Sequence, residues 1–217
     1  MQPNIPAAGS LTPLFVTEVY RTDLAGTSAD PLITRLEAAC RRIAAEDKKG
    51  WEWSAAQGYL GYTSYESIVD PTKIDPDFAE LKALLDVQAL IFARLMEFDL
   101  RGKVPTLGAL WINILDPNGS HGGHTHPHSV FSGTIYISVP EGASALQFED
   151  PRLGFMMHAP QRLPNARPYR QVMVPMAPAR GTLLLWESWL RHEVPTNRAK
   201  TPRISISFNY DVDLRTS

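Results

Sequence analysis

Four of the six histidines in this chain fall within eight residues, His121-Gly-Gly-His124-Thr-His126-Pro-His128, and a fifth, His192, closes the segment Gly181-Thr-Leu-Leu-Leu-Trp-Glu-Ser-Trp-Leu-Arg-His192. Neutral imidazole is a ligand for iron, zinc, copper and nickel alike. Alternate residues of a strand point the same way, so His124 and His126 at a strand end can aim at one point. A third ring from a neighbouring strand would complete one face of a coordination sphere and leave the other open to substrates. The candidate metal ligands are therefore His124, His126 and His192. His121 is an alternative to one of the first two, although an i, i+3 pair does not share a strand face. His128 reads as outer support or surface, and His158, in a Pro/Arg-rich loop, as exposed. A solvated turn is the competing reading of 121–128, given Gly122, Gly123 and Pro127. The buried-type run Leu183-Leu184-Leu185 leading to His192 favours metal.

A second chemical feature follows eleven residues after His192, in Arg203-Ile-Ser205. Residues 203 and 205 share one strand face. A guanidinium is a planar fork that matches a carboxylate at two points, and a serine hydroxyl adds a donor beside it. The alternation Ile204, Ile206, Phe208 assigns the opposite face to the core. Arg203 then faces either a barrel interior or solvent.

These side chains need strands to hold them, and the C-terminal half supplies them. Strand character marks Leu107–Leu115, Val130–Val139, Ala145–Phe148, Arg170–Val174, Gly181–Trp186, a return strand from His192, and Arg203–Val212, separated by short Pro/Gly/Asn loops. The N-terminal half reads as helical. Asp30-Pro31 opens a helix with an apolar face of Leu32, Leu36, Ala39, Cys40 and Ile43, and Gly50 is its expected stop. Asp75-Pro76 opens a second, with Phe78, Leu81, Leu84, Leu85, Phe92 and Leu95 on its stripe. Residues 12–20 read as an opening strand, and the aromatic-rich stretch 51–74 as turns and short extended pieces. The expected fold class is mainly β with N-terminal helices, a jelly-roll barrel with the helices packed outside. It forms one domain over 1–217, with 1–104 as helical support and 105–217 as the β core.

Composition narrows the partners. With 217 residues, 44% hydrophobic, 20% charged and a net charge of -2, the chain has no global basic field for nucleic acid. No apolar run reaches membrane-spanning length. The opening Met-Gln-Pro-Asn-Ile-Pro lacks the features of a signal peptide. A lone Cys40 excludes an intrachain disulfide and fits a cytoplasmic location. Arg152, Arg162, Arg167, Arg170 and Arg180 occupy a stretch from Pro151 to Trp186 that holds no acid. They read as steering for an anionic substrate or as a solvated loop. Met156 and Met157 read as pocket lining or packing. Trp51, Trp53 and the nearby tyrosines read as core, with an exposed interface or homodimer contact as the alternative.

Together, His124-Thr-His126-Pro127, Ser132-Gly133-Thr-Ile-Tyr136 and Ser188-Trp189-Leu190-Arg191-His192 give the chain a family resemblance over about residues 105–212. It resembles the double-stranded β-helix oxygenases that use Fe(II) and 2-oxoglutarate, and within them a group with H-x-H-P, S-G-x-x-Y and S-W-L-x-H motifs. The segment Leu14-Phe15-Val16, as a strand, fits the same group. The resemblance implies Fe(II) and 2-oxoglutarate as cofactors and oxidation of a second, small-molecule or peptide substrate. It implies that Arg203 and Ser205 clamp the distal carboxylate of 2-oxoglutarate, with Asn113 and Tyr136 as further donors. The chain departs from the wider superfamily where His126 replaces the usual Asp or Glu of a two-histidine, one-carboxylate triad. Glu149, Asp150 and Glu187 are alternative carboxylate sources. The spacing of Gly119, His124, His126, Gly181, Glu187 and His192 also echoes the cupins. A three-histidine metalloprotein without 2-oxoglutarate is therefore the second reading, and a non-catalytic binding module the third.

Overall fold

The computed structural model describes residues 9–155 and 158–213. Met156, Met157 and the opening hexapeptide, singled out above, lie outside the described residues. Three layers make up the fold. Strands β1 (Tyr20–Asp23), β2 (Gly61–Thr63), β3 (Thr106–Leu115), β5 (Phe131–Ser138), β8 (Thr182–Glu187) and β10 (Arg203–Asp211) form one sheet, in the order β1-β8-β5-β10-β3-β2. Strands β4 (His121–His124), β6 (Leu146–Glu149), β7 (Met173–Met176) and β9 (His192–Val194) form the other, in the order β4-β9-β6-β7. Every pairing is antiparallel. Two facing antiparallel sheets with these crossovers are a jelly roll. Helices α1 (Asp30–Glu46), α2 (Lys48–Ala56) and α3 (Pro76–Leu95) cover the outside of the larger sheet.

Strand β10 explains the layering. Its even residues Ile204, Ile206, Phe208 and Tyr210 are fully buried with Phe78, Leu81, Leu85 and Phe92 of α3. Its odd residues Arg203, Ser205, Ser207 and Asn209 face the second sheet. A strict period of two thus separates an apolar helix-packing face from a polar interior face. A smaller apolar cluster, including Leu184, Trp186, Phe148 and Val194, fills the rest of the space between the sheets. The glycine of Ser132-Gly133-Thr-Ile-Tyr136 has a packing reason. It sits opposite Phe208, and a Cβ there would lie 2.3 Å from the Phe208 ring and 2.7 Å from the Leu184 carbonyl.

Several local expectations change. Asp30 is not the N-cap of α1: Ala29 is, and the Asp30 carboxylate in the first turn instead meets Arg180 at 2.5 Å. Gly50 does not stop a helix. Asp47 ends α1 and caps α2 through the Gly50 N–H at 3.0 Å, so Trp51 and Trp53 are helical. A Cβ at Gly50 would strike Asp47 and the Tyr62 ring, at 2.4 and 2.6 Å. The strand over 12–20 is likewise displaced. Only Tyr20–Asp23 pairs with β8, because Tyr20 already faces Leu185 and β8 ends two residues on, at Glu187. Leu14, Phe15 and Val16 are exposed. Of the aromatics in 51–65, Tyr62 is fully buried, whereas Trp51 and Tyr65 are 43% and 47% exposed. Cys40 is a buried free thiol, as expected. No helix of the described residues is long and apolar enough to cross a membrane.

Candidate metal centre

His121 and His124 lie on β4, which pairs with β9 so that His124 stands directly opposite His192. His126 lies beyond the end of β4, in the turn that leads to β5. Strand alternation therefore does not aim it; the backbone does, through a bond from its N–H to the Ser188 carbonyl at 3.0 Å. One ring nitrogen from each of His124, His126 and His192 lies within 4.8 Å of the other two. The ring centroids are 4.4 Å apart for His124 and His192, 5.0 Å for His124 and His126, and 5.2 Å for His126 and His192. The rings of His124 and His192 have settled tautomers. Each puts Nδ1 on the carbonyl two residues earlier, Gly122 at 2.8 Å and Leu190 at 2.9 Å, which leaves Nε2 for a metal.

His121 departs from the strand-face argument. A bulge between His121 and His124 brings both rings to one side, stacked at 4.3 Å, and Tyr59 meets His121 edge-on at 5.9 Å. It adjoins the triad without joining it. His128 and His158 are exposed. Glu149 and Asp150 are held by Arg191 and Arg152, and no carboxylate joins the cluster among the described residues.

The triad opens into a cleft of about 530 Å³, counted with its solvent-open part. Arg203, 4% exposed, lines the same cleft. Register places Asn113, Ser205 and Tyr136 side by side on β3, β10 and β5, and all three line the cleft. Asn113 donates to Ser207 Oγ at 3.1 Å. Arg203 donates through Nη1 to the Ser144 carbonyl at 2.9 Å, and its Cζ lies 5.4 Å from the Tyr136 ring centre. Its Nε is buried with no partner, and none of the ion pairs among the described residues involves it. A buried guanidinium without a counter-ion is costly, so the cleft beside Arg203 calls for an anion with acceptor oxygens. Trp186 Nε1, beside His192, is a second buried donor without a partner. Sequence reasoning passed over Trp111, Thr134, Trp186, Ser207 and Asn209, all of which line the cleft. The alternation of β10 continues through Ser207 and Asn209 and could have found those two.

Burial without a carboxylate pushes His126 down to about 4 and His192 to about 3, and lowers His124; desolvation is the main cause, with repulsion among the rings behind it for His126 and His192. His121 is lowered in the same direction, but its side chain is exposed to solvent, which screens the effect and leaves it a minor contributor to stability. All four imidazoles are thus neutral near pH 7, the form that binds metal. In the unfolded chain they titrate near 6.5. Between about 6.5 and about 4 the unfolded state takes up protons that the folded state refuses, so stability is present above that window and lost as pH falls through it. The melting temperature of the metal-free protein is expected to be flat above about pH 7 and to fall steadily towards about pH 4. Metal, competing only with protons of low affinity, is expected to stay bound to below about pH 5. A melting temperature that rises on acidification, or metal release centred near 6.5, would count against buried neutral ligands.

Residues 109–209 match a family model described as "Putative 2OG-Fe(II) oxygenase". Among solved structures, HygX from Streptomyces hygroscopicus, with nickel, 2-oxoglutarate and hygromycin B bound, is 14% identical with a TM-score of 0.60. That match covers 92% of this chain and 85% of HygX. A prolyl-4-hydroxylase from Pseudomonas putida is 17% identical over 90% of this chain and 92% of its own, with a TM-score of 0.55. These likenesses show the shared fold. The chain spans 55% of the length of an oxidoreductase of the 2OG-Fe(II) oxygenase family from Burkholderia pseudomallei, which is 22% identical over 62% of this chain, with a TM-score of 0.44. The comparison with curated proteins returned no match.

Proposed function

We propose that this chain couples oxidative decarboxylation of 2-oxoglutarate to oxidation of a second substrate; residues 109–209, which carry the three histidines and Arg203, match the 2OG-Fe(II) oxygenase family model. His124, His126 and His192 would hold the iron. Arg203 and Ser205 would hold the distal carboxylate, flanked by Asn113 and Tyr136. The observation that carries the reading is the buried Arg203, with no ion-pair partner among the described residues, lining the same cleft as the triad. HygX, of the same fold, holds nickel and 2-oxoglutarate, which fits the same pairing of a metal with this cosubstrate.

When bound, ferrous iron and 2-oxoglutarate supply dioxygen activation and two reducing electrons. The chain's own work is binding, orientation and exclusion of water. Arg203 offers Nε beside its occupied Nη1, so a carboxylate gains a charge-assisted bond and relieves an orphaned donor. Asn113, Ser205 and Tyr136 stand in one row across three strands, which are rigid elements that fix the cosubstrate's direction. The apolar cluster of Leu184, Trp186, Leu190 and Val194 keeps water from the walls. Three neutral imidazoles leave the ferrous charge uncompensated, so an anionic cosubstrate should tighten the metal site as the metal tightens it. The replacement of a carboxylate by His126 favours one other reading, a three-histidine metalloprotein that does not use 2-oxoglutarate.

Anaerobic titration of 2-oxoglutarate into the Fe(II) protein tests the choice. A visible charge-transfer band that saturates, followed on admission of oxygen by succinate, is the expected result. Iron binding with neither band nor succinate would leave the second reading standing instead.

A further inference from the structure

His126 lacks the backbone carbonyl that fixes its two fellow ligands. Its Nδ1 lies instead 3.4 Å from the side-chain amide of Asn209, on β10. The Asn209 amide accepts from Ser132 Oγ at 2.9 Å, and Ser132 Oγ is 2.7 Å from Ser188 Oγ. The Ser188 carbonyl in turn accepts the backbone N–H of His126 at 3.0 Å. His126 is therefore gripped at ring and backbone by one closed circuit, His126, Asn209, Ser132, Ser188. Its three polar side chains are buried, at 8%, 1% and 1% exposure. Ser132 and Ser188 are the leading serines of Ser132-Gly133-Thr-Ile-Tyr136 and Ser188-Trp189-Leu190-Arg191-His192, and the roles assigned above give neither a task.

A histidine that gives Nε2 to a metal carries its proton on Nδ1 and must donate it; a carboxylate in that place has no such need. In the structure Asn209 turns Nδ2 to the ring and Oδ1 to Ser132. Rotating the amide by half a turn exchanges the two. Asn209 Oδ1 then accepts the His126 Nδ1–H, Nδ2 donates to Ser132 Oγ, and the Ser132 proton goes to Ser188 Oγ. Ser132 accepts one bond and donates one in either direction, while Ser188 Oγ changes from donor to acceptor. We propose that Asn209 is a positioning residue that selects the metal-binding tautomer of His126, with Ser132 and Ser188 reversing their hydrogen bonds to match. The inference rests on the three-histidine metal site proposed above.

Cobalt(II) titration of the full chain, without 2-oxoglutarate, tests both separately. Wild-type protein is expected to bind cobalt and to show three exchangeable imidazole N–H protons shifted by the paramagnetic ion. Asn209→Leu should weaken cobalt binding by about 10–100-fold, the usual cost of losing an outer partner of a ligand, and lose one of the three signals. Asn209→Asp, which keeps an acceptor, should restore both. If Asn209→Leu does not fold, Ser132→Ala should show the same signal broadened by exchange. Full retention of affinity and of all three signals in the variant that folds would overturn the role of Asn209. Failure of the wild-type protein to bind cobalt would overturn the metal site itself.

Discussion

Arg203→Met is expected to abolish useful 2-oxoglutarate binding and, at the same time, to make the protein without cosubstrate harder to unfold. The two effects have opposite signs and one cause. Arg203 is 4% exposed and, among the described residues, bonds only the Ser144 carbonyl and keeps Nε buried without a partner. Truncating one member of a buried, hydrogen-bonded charge pair costs ~2–5 kcal/mol of binding, or roughly 30-fold and upward in Kd. Methionine replaces the apolar stem of the arginine and has no charge to desolvate. Replacing a buried charge with a well-packed apolar side chain is often neutral or stabilising by ~1–4 kcal/mol. Against that gain stand one hydrogen bond and a contact of the cation with the Tyr136 ring, each worth about 1 kcal/mol. Calorimetric titration of 2-oxoglutarate into the metal-loaded variant reads the first effect, and thermal melting of the metal-free variant reads the second. Unchanged affinity for 2-oxoglutarate would defeat the clamp and favour a metalloprotein that ignores it.

Much of this architecture was legible in the sequence because period and chemistry agreed there. The β10 pattern Arg-Ile-Ser-Ile-Ser-Phe-Asn-Tyr gives a strand, its core face and its polar face in one reading, and the structure keeps all three. Helix α3 was equally plain. Asp75 caps it through the Asp77 N–H at 2.9 Å, with Pro76 at the first helical position. What escaped was local structure fixed by distant partners. The helical state of 48–56 depends on Asp47, which caps Gly50 and accepts from Tyr62 at 2.8 Å, a partner fifteen residues away. Glycine there serves close approach, which its usual role as a helix stop conceals.

The metal site divides in the same way. His124 and His192 face each other because β4 and β9 pair, a fact of topology that residue types only suggested. Strand alternation predicts the aim of His126, yet that aim comes from the Ser188 carbonyl, 62 residues along the chain. The same alternation makes His121 only an alternative ligand off the shared face, and a bulge, which no pattern in Gly122-Gly123 specifies, puts its ring against His124. Trp186 was invisible for a related reason, and the alternation of β10 put Asn209 on the polar face without giving it a task. A tryptophan in an apolar run looks structural until the cleft it lines is known.

His192→Ala should remove metal binding outright, whereas His126→Asp should keep it, and the contrast follows from where each ring sits. His192 is the buried member, 4% exposed, fixed by the Leu190 carbonyl and packed against Trp186. Its loss leaves two neutral nitrogens, and metal affinity is expected to fall by more than the ~10–100-fold that losing even an outer partner costs. His126→Asp restores the two-histidine, one-carboxylate set that suits ferrous iron. It also adds a negative charge where wild-type protein has none. With three neutral ligands, the anionic cosubstrate is the first group to compensate the metal's charge, so the two should bind with strong mutual reinforcement. In His126→Asp part of that compensation is already present. The factor by which 2-oxoglutarate tightens metal binding should therefore be smaller than in wild type, although the metal alone binds at least as well. His121→Ala, which removes a ring outside the triad, should change neither quantity by more than about two-fold. Metal titrations with and without 2-oxoglutarate across the three variants read every term. Equal reinforcement in wild type and His126→Asp would mean that the charge of the third ligand does not reach the cosubstrate, and a loss in His121→Ala would move that ring into the coordination sphere.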